Sequence, residues 1–224
     1  MLRAPIDAVI SAGYLRSLPR LTMALDGSPA AQRLHRDLLS GRVVAPGWRL
    51  AQAVQQIPPQ EGAYLRGRHR QALRTNAHHA HEAGWRYDVA VPGTTLGDKA
   101  AAIGPRGDLA VAAISPAGEV GVLGVCLLSG RWAGLTFFRN VGGPTPARYG
   151  LHAYLVEQLR RRWITHLHGG SALGSRGLRY YQERLGFEAV NLRLVVAAPG
   201  PAGDYSSRRD PTRTTVAPSS AATA

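Results

Sequence analysis

The chain has 224 residues, of which 45% are hydrophobic and 18% are charged, so it is too apolar for a disordered protein and long enough for one domain with short attachments. No apolar stretch is long enough to cross a bilayer, and residues 1–20 lack the sustained apolar core of a secretory signal. The single cysteine, Cys126, excludes an internal disulfide and a multi-cysteine metal site. These features predict a soluble, cytoplasmic protein.

The charge is strongly positive, with 27 Lys and Arg against 14 Asp and Glu and a formal net charge of +13. Lys99 is the only lysine, so the cations are almost all arginines, whose planar guanidinium binds phosphate and carboxylate with paired hydrogen bonds. The excess predicts a polyanionic partner such as a nucleic acid or a nucleotide cofactor. The alternative is a compositional bias for Arg, which explains the kind of cation better than the excess.

Composition and periodicity divide the chain into three parts. Residues 1–62 have a mixed pattern, in which 30–39 looks helical and Trp48–Leu50 could be a strand, and they are interpreted as an N-terminal extension. Residues 63–197 carry the regular elements of one domain. Residues 198–224 are mostly Pro, Ser, Thr, Ala and Gly without apolar periodicity, which predicts a disordered C-terminal tail.

The first half of the domain begins with an apolar stripe over 64–83, which predicts a helix that stops at Gly84. A strand is predicted over 85–91 and a loop over 92–107. Short turns then separate three apolar runs, which predict an antiparallel meander of strands at 109–115, 120–128 and 132–141.

In the second half, Thr145 is predicted as the N-cap of a helix that reaches Arg162 and buries Leu151, Leu155 and Leu159. A short strand is predicted over 163–167, followed by a loop at 169–171. A second helix at 176–185 is predicted to bury Leu178, Tyr181 and Leu185 and to end at Gly186, and a strand follows at 188–196. The order of elements predicts an α+β fold with a mostly antiparallel sheet flanked by helices.

Two clusters of basic side chains lie near the start of the domain. Arg66, Arg70 and Arg74 recur every fourth residue, which on a helix aligns three like charges and favours an anion such as phosphate opposite them. The alternative is a solvated face. The neighbouring residues His78, His79 and His81 have no carboxylate or cysteine at ligand spacing, so no metal site is predicted.

The turn from Arg139 to Pro146 joins the last meander strand to a helix. Gly142 and Gly143 leave backbone N–H groups available to hold a pyrophosphate, and the positive end of the helix favours its charge. The alternative is a plain connection that needs glycine for its backbone angles.

A late tyrosine and a strand-end histidine form the third candidate cluster. Tyr181 can donate a proton to a leaving group, and His168 can remove one from an amine. The alternative for Tyr181 is packing in the core. Tyr180, His166 and Ser171 lie nearby in sequence.

The succession of elements over about residues 64–196 resembles the GNAT superfamily of N-acyltransferases. The resemblance is carried by the segment Leu178–Phe187, with its Tyr-bearing helix and Gly-Phe end, and by Ala147–Leu151 at the start of the preceding helix. It implies an acyl-CoA donor such as acetyl-CoA and a proton-donating tyrosine, here Tyr181, since Gln182 occupies the usual place. The implied cofactor-binding residues are Arg139, Gly142, Gly143, Thr145, Arg148 and Gly150.

The basic segment Leu65–Asn76 resembles a branch of the same fold, the Fem-type aminoacyltransferases that use aminoacyl-tRNA. In that case Arg66, Arg70 and Arg74 would contact tRNA phosphates. That branch usually carries two copies of the fold, and this chain has room for one.

The predicted function is therefore transfer of an acyl group from acyl-CoA to an amine, with aminoacyl-tRNA as the alternative donor and no metal. Catalysis would come mainly from positioning the two substrates. A second alternative is a non-catalytic binder of nucleic acid or an acidic partner. The sequence predicts neither the acceptor nor the oligomeric state.

Overall fold

The computed structural model describes residues 13–39 and 48–196, so the predicted tail at 198–224 lies outside the described residues. The strands are β1 Arg20–Leu25, β2 Trp48–Gln56, β3 Arg86–Val89, β4 Leu109–Ile114, β5 Val120–Ser129, β6 Trp132–Asn140, β7 His166–Ser171 and β8 Glu188–Val196. The helices are α1 Pro29–Leu39, α2 Gln71–Glu82, α3 Thr95–Ile103, α4 Thr145–Arg161 and α5 Arg176–Leu185. Two 3₁₀ turns, Ala63–Leu65 and Arg68–Arg70, precede α2.

All eight strands form one sheet in the order β1-β8-β2-β7-β6-β5-β4-β3. Only β1 with β8 and β6 with β7 pair in parallel, and the other pairs are antiparallel. The predicted α+β class, the mostly antiparallel sheet and the meander of β4, β5 and β6 are therefore confirmed.

Helices cover both faces of the sheet. We call the face that packs against α2, α4 and α5 the front face; its core holds Leu73, Leu155 and Leu185. The other side is the back face, where α1 packs through Leu34 and α3 packs through Ala100. The predicted stripe of Leu151, Leu155 and Leu159 on α4 is fully buried, because that helix lies across the centre of the front face.

The N-terminal region is part of the sheet and not an appendage to it. β1 forms one edge beside β8, and β2 is inserted between β8 and β7. The sequence WRLAQAVQQ does not alternate cleanly because Gln55 is buried on the front face and the strand shifts register between Arg49 and Gln52. This irregular pattern concealed a central strand in residues assigned to an extension.

Several predicted element boundaries are wrong. The predicted loop at 92–107 contains α3, whose first turn is capped by Thr94 Oγ1 accepting the Gly97 N–H at 3.1 Å. The helix predicted from residue 64 begins at Gln71, because Gly67 has φ of 91° and interrupts it. β7 runs from His166 to Ser171, so the predicted loop at 169–171 is strand.

Two further predictions, one about a helix N-cap and one about a buried side chain, are wrong. Pro144, and not Thr145, stands at the N-cap of α4. Leu178 in α5 is 45% exposed, while Leu185 is buried as predicted. The predicted ends at Gly84 and Gly186 are confirmed, since both adopt left-handed backbone angles with φ of 76° and 82°.

The parallel pair β6/β7 is short, and this fact positions the site. Pairing joins Trp132, Ala133 and Gly134 to His166, Leu167 and His168, and then stops although both strands continue. The two strands therefore diverge in the middle of the sheet.

Among the described residues, no helix is both long and apolar enough to cross a membrane.

Candidate functional site

A cavity of about 210 Å³ lies on the front face where β6 and β7 diverge. The diverging strands form its walls, and α4 and α5 cover it. Most of the lining is apolar, and four residues add polar groups: Arg148, His152, Tyr181 and Gln182. The apolar lining residues that enclose these groups include Leu135, Phe137, Phe138, Leu185 and Phe187.

Three of these polar side chains each leave a buried atom without a hydrogen-bond partner: Arg148 Nε, His152 Nδ1 and Tyr181 OH. Buried polar atoms are satisfied in the great majority of cases. Six buried side-chain atoms of the described residues lack a partner, and three of the six belong to residues that line this one cavity, which needs an explanation. A bound polar ligand would supply the missing partners.

His152 contributes a neutral imidazole to the cavity. Its side chain is completely buried, and Nε2 lies 2.9 Å from Oε1 of Gln55 in β2. With the Gln55 amide in this orientation its oxygen accepts, so we assign the hydrogen to His152 Nε2 and the lone pair to Nδ1. The amide nitrogen, Gln55 Nε2, is buried without a partner. Burial, assisted by the positive charge of Arg70, lowers the pKa of His152 to about 3.

Tyr181 contributes a protonated phenol. Its ring packs edge-on against Tyr149, and the Arg148 guanidinium carbon lies 4.5 Å from its centroid. Burial raises the pKa of Tyr181 well above its usual value, although the charge of Arg148 opposes the shift. The hydroxyl therefore stays a proton donor at physiological pH.

Gln182, which stands where the GNAT resemblance places a tyrosine, has a structural role. Its Nε2 donates to the carbonyl oxygens of Gly169 at 3.2 Å and Ser171 at 3.4 Å. These bonds tie α5 to the part of β7 that β6 has left. The neighbouring Tyr181 is the side chain with an unpartnered hydroxyl at the cavity.

The structure separates the predicted pair Tyr181 and His168. In the parallel register His168 pairs with Gly134, and a methyl group on Gly134 would overlap Leu34 of α1. His168 therefore points to the back face, where its Nε2 lies 3.0 Å from Gln52 Oε1 and burial lowers its pKa to about 4. His152, on the opposite face, lines the cavity with Tyr181.

The turn before α4 does not offer the open backbone amides expected of it. The N–H groups of Val141 and Gly143 both donate to the Gly121 carbonyl, at 2.8 and 3.0 Å. The Gly142 N–H donates to Asn140 Oδ1 at 3.0 Å. The prediction that these amides are free is therefore wrong, because the turn folds back onto the start of β5.

The other residues of the predicted cofactor set are dispersed. Arg139 and Thr145 are exposed at the ends of β6 and α4. Gly150 faces Tyr87, whose hydroxyl would overlap any added Cβ, so this glycine permits a close packing contact. Of the predicted set, Arg148 is the member that reaches the cavity.

The predicted arginine row does not form one helical stripe. Arg66 lies between the 3₁₀ turns, Arg70 ends the second, and Arg74 is in α2. Arg70 donates to the Arg184 carbonyl at 3.2 Å, and Arg74 donates to the Leu65 carbonyl at 2.6 Å and the Gly67 carbonyl at 2.8 Å. Both guanidinium groups are thus engaged within the chain, and Arg66 is exposed.

A different basic surface lies beside them. Arg68, His69 and Arg184 line an open depression of about 530 Å³, together with uncharged residues of α2, and no carboxylate lines it. We call it the basic depression. Elsewhere in the described ranges, no three His, Cys, Asp or Glu side chains group as metal ligands.

The sequence analysis missed His152, which lines the cavity, and Gln55, which bonds to His152. His152 follows Leu151 in the apolar stripe of α4, and Gln55 lies in β2 beyond Trp48–Leu50, the part considered as a possible strand. A histidine inside a buried stripe was the available signal for the first. Nothing local indicated the second.

No protein-family model and no curated protein sequence matches this chain. Among solved structures it is similar to L-PGS from Bacillus licheniformis, with a TM-score of 0.50 and 13% identity over 65% of this chain and 60% of that one. The chain thus spans about three fifths of that structure's length.

Two further structures are similar at lower scores. The C-terminal domain of a candidate lysylphosphatidylglycerol synthetase from Agrobacterium fabrum has a TM-score of 0.49 and 13% identity, covering 65% of this chain and 60% of that one. A tandem GNAT protein from the clavulanic acid biosynthesis pathway has a TM-score of 0.44 and 12% identity, covering 85% and 69%. The likeness to L-PGS shows a fold that the two chains share, and the mostly antiparallel sheet flanked by helices agrees with the GNAT-like architecture expected from the sequence.

Proposed function

We propose that this chain is a transferase that moves an acyl group from an activated carrier to a nucleophile such as an amine. The observation that carries the proposal is the set of three unpartnered polar atoms around the cavity between β6 and β7. The cavity holds a proton donor, a cation and a neutral base within an apolar shell, and acyl transfer uses all three.

In this mechanism the nucleophile attacks the carbonyl carbon of the bound donor. The Arg148 guanidinium stabilises the negative charge that develops on the carbonyl oxygen, which an apolar surrounding makes more effective. The Tyr181 hydroxyl protonates the departing oxygen or sulfur of the carrier. Its raised pKa keeps that proton available until the leaving group needs it.

The surface features favour an aminoacyl ester of tRNA as donor over acyl-CoA. The turn before α4 uses its amides internally, which removes the main reason to expect a bound pyrophosphate. The basic depression supplies cations with no carboxylate in its lining, and such a surface suits a polynucleotide phosphate backbone. The acyl-CoA donor favoured from the sequence keeps support only from the fold.

The test offers both donors with hydroxylamine as a small nucleophile. We expect aminoacyl hydroxamate from bulk aminoacyl-tRNA, and we expect Arg68→Glu with Arg184→Glu to weaken tRNA use at least 10-fold, more at higher salt. Arg139→Glu is the control, since it makes the same kind of charge change at an exposed arginine that does not line the depression.

Each remaining outcome has a definite meaning. Hydroxamate from acetyl-CoA alone, lost in Arg139→Glu, would overturn the tRNA donor and restore acyl-CoA. Binding of tRNA without hydroxamate from either donor would overturn the transferase proposal and leave a binding protein.

A further inference from the structure

The proposed transfer needs an acceptor for the proton that the nucleophile loses. We propose that His152 Nδ1 is this acceptor and that Gln55 is the positioning residue that keeps its lone pair free. This inference rests on the proposed function and deepens it. His152 lines the cavity beside Tyr181, and both rings pack against Phe138.

The hydrogen bond to Gln55 is the basis for assigning the reactive nitrogen of His152. Gln55 is 1% exposed, and its Oε1 lies 2.9 Å from His152 Nε2. Because this oxygen only accepts, the nitrogen that faces it donates. The proton is therefore on Nε2, and Nδ1, which has no partner, is the basic atom. A base oriented by a second side chain is the common arrangement in nucleophilic catalysis.

The groups that face His152 keep it neutral before reaction. Tyr64 lies beside it with ring centroids 6.0 Å apart, and its hydroxyl donates to the Leu185 carbonyl at 2.8 Å. Arg70 stacks on the far side of Tyr64, and its charge disfavours an imidazolium. Arg148 and Tyr181 line the same cavity, and no carboxylate does.

The proton transfers balance across the reaction. As the new bond to the carbonyl carbon forms, the nucleophile's proton passes to His152 Nδ1. As the bond to the carrier breaks, Tyr181 gives its proton to the leaving atom. The imidazolium then returns its proton to the phenolate across the cavity, and both residues regain their starting states. Negative charge that develops on the carbonyl oxygen and on Tyr181 makes the imidazole more basic at that moment than in the empty protein.

The molecule contains a matched control for this assignment. His168 is also buried and also bonded through Nε2 to a glutamine oxygen, but it points to the back face. His168→Gln should therefore leave transfer unchanged, and it reports the cost of removing a buried histidine as such.

The kinetic test uses the hydroxylamine assay with aminoacyl-tRNA. We expect His152→Gln to lower kcat about 100-fold with KM for the donor nearly unchanged, within the usual range for general bases. Gln55→Leu should lower kcat about 10-fold, and Gln55→Glu should restore most of it, because a carboxylate also accepts from Nε2. Imidazole added to His152→Gly should restore part of the rate.

A structural test begins with the wild-type protein and does not depend on activity. Nitrogen-15 NMR of the imidazole reports whether Nε2 or Nδ1 carries the proton. We expect the Nε2–H form for His152 between pH 5 and 8, changed by Gln55→Leu and unchanged by Gln52→Leu.

The outcomes separate the two levels of the proposal. Wild-type protein without transfer from any donor would overturn the proposed function and this assignment with it. Transfer by wild type and equally by His152→Gln would overturn the assignment alone, as would a proton on Nδ1.

Discussion

The front and back faces of the sheet each hold a buried histidine bonded to a glutamine, and only one of them is equipped for chemistry. His152 with Gln55 and His168 with Gln52 have nearly equal Nε2–Oε1 distances of 2.9 and 3.0 Å, and burial lowers both pKa values. The front pair adjoins a cavity and keeps an unpartnered nitrogen. Burial and a positioned tautomer are therefore not sufficient for a site, because a substrate also needs room beside the base.

The difference arises where the parallel pairing of β6 and β7 ends. On the back face, Leu34 of α1 lies against Gly134, the residue that pairs with His168. On the front face, the strands separate past Gly134, and α4 and α5 cover the gap without filling it. The β6/β7 pair is therefore covered by packed side chains on the back face and borders a cavity on the front face.

The largest expected effect is on stability at acidic pH, and it tests what the two pairs share. The unfolded chain protonates each histidine near pH 6.5, whereas the folded protein resists protonation until about pH 3 or 4. The contribution of the two histidines to the free energy of unfolding is therefore fully present above pH 6.5. It falls as the pH drops, by up to about 1.4 kcal/mol per pH unit for each histidine. Urea unfolding at pH 7, 6 and 5 measures the slope, and His152→Gln and His168→Gln should each reduce it. A slope unchanged in both variants would contradict the burial assignment.

The second largest expected effect concerns two buried tyrosine hydroxyl groups, those of Tyr181 and Tyr87. Tyr181→Phe should lower the transfer rate about 100-fold and leave the free energy of unfolding equal or higher by about 1 kcal/mol, because it removes an unsatisfied buried hydroxyl. Tyr87→Phe is the control, since the Tyr87 hydroxyl is also buried and unpartnered but lies outside the cavity lining. It should stabilise similarly and keep full activity. Equal rates for both variants would remove Tyr181 from the mechanism.

A smaller effect distinguishes the two faces through their glycines. A methyl group on Gly134 would overlap Leu34 on the back, and one on Gly169 would overlap Phe187, which lines the cavity. Each alanine substitution should cost about 1–3 kcal/mol of stability from overpacking. Only Gly169→Ala should also raise the KM for the donor, because the displaced ring narrows the cavity. Steady-state kinetics and urea unfolding of both variants decide this.

The smallest expected effect is at Trp163, which lies in the turn leading to β7 and belongs to neither of the two histidine–glutamine pairs. It is 82% exposed with φ of 60°, and its N–H and that of Ile164 cap α4 by bonding Arg160 and Leu159. Glycine is the usual residue at such a position, so Trp163→Gly should raise the free energy of unfolding by up to about 1 kcal/mol with no change in transfer. Loss of activity in this variant would show that the exposed indole has a function.

Much of the domain could be predicted because its signals are local. The turns of the meander, the leucine stripe of α4 and the glycine stops at Gly84 and Gly186 are each encoded within a few residues. Only the start of β2, Trp48–Leu50, was considered as a possible strand, because the polar glutamines that follow are satisfied by histidines more than ninety residues away. A buried polar residue looks exposed in a sequence until its partner is known.

The candidate site was half predicted for the same reason. Tyr181 was predicted as a proton donor on a late helix, and Arg148 was predicted as a cofactor-binding residue from the GNAT resemblance. The structure brings both to the cavity. His168 was paired with Tyr181 by nearness along the chain, which cannot specify a face of the sheet. The amides of the turn before α4 were expected to be free, because nothing near them in sequence reveals that β5 supplies the Gly121 carbonyl.

The sequence by itself determined the α+β class, the basic charge, the sites where helices end and the residues able to donate or accept protons, since these depend on composition and on short-range periodicity. The tertiary structure decided which of those residues meet. The end of one parallel pairing opens a cavity on one face, and packing then selects the histidine with a free nitrogen.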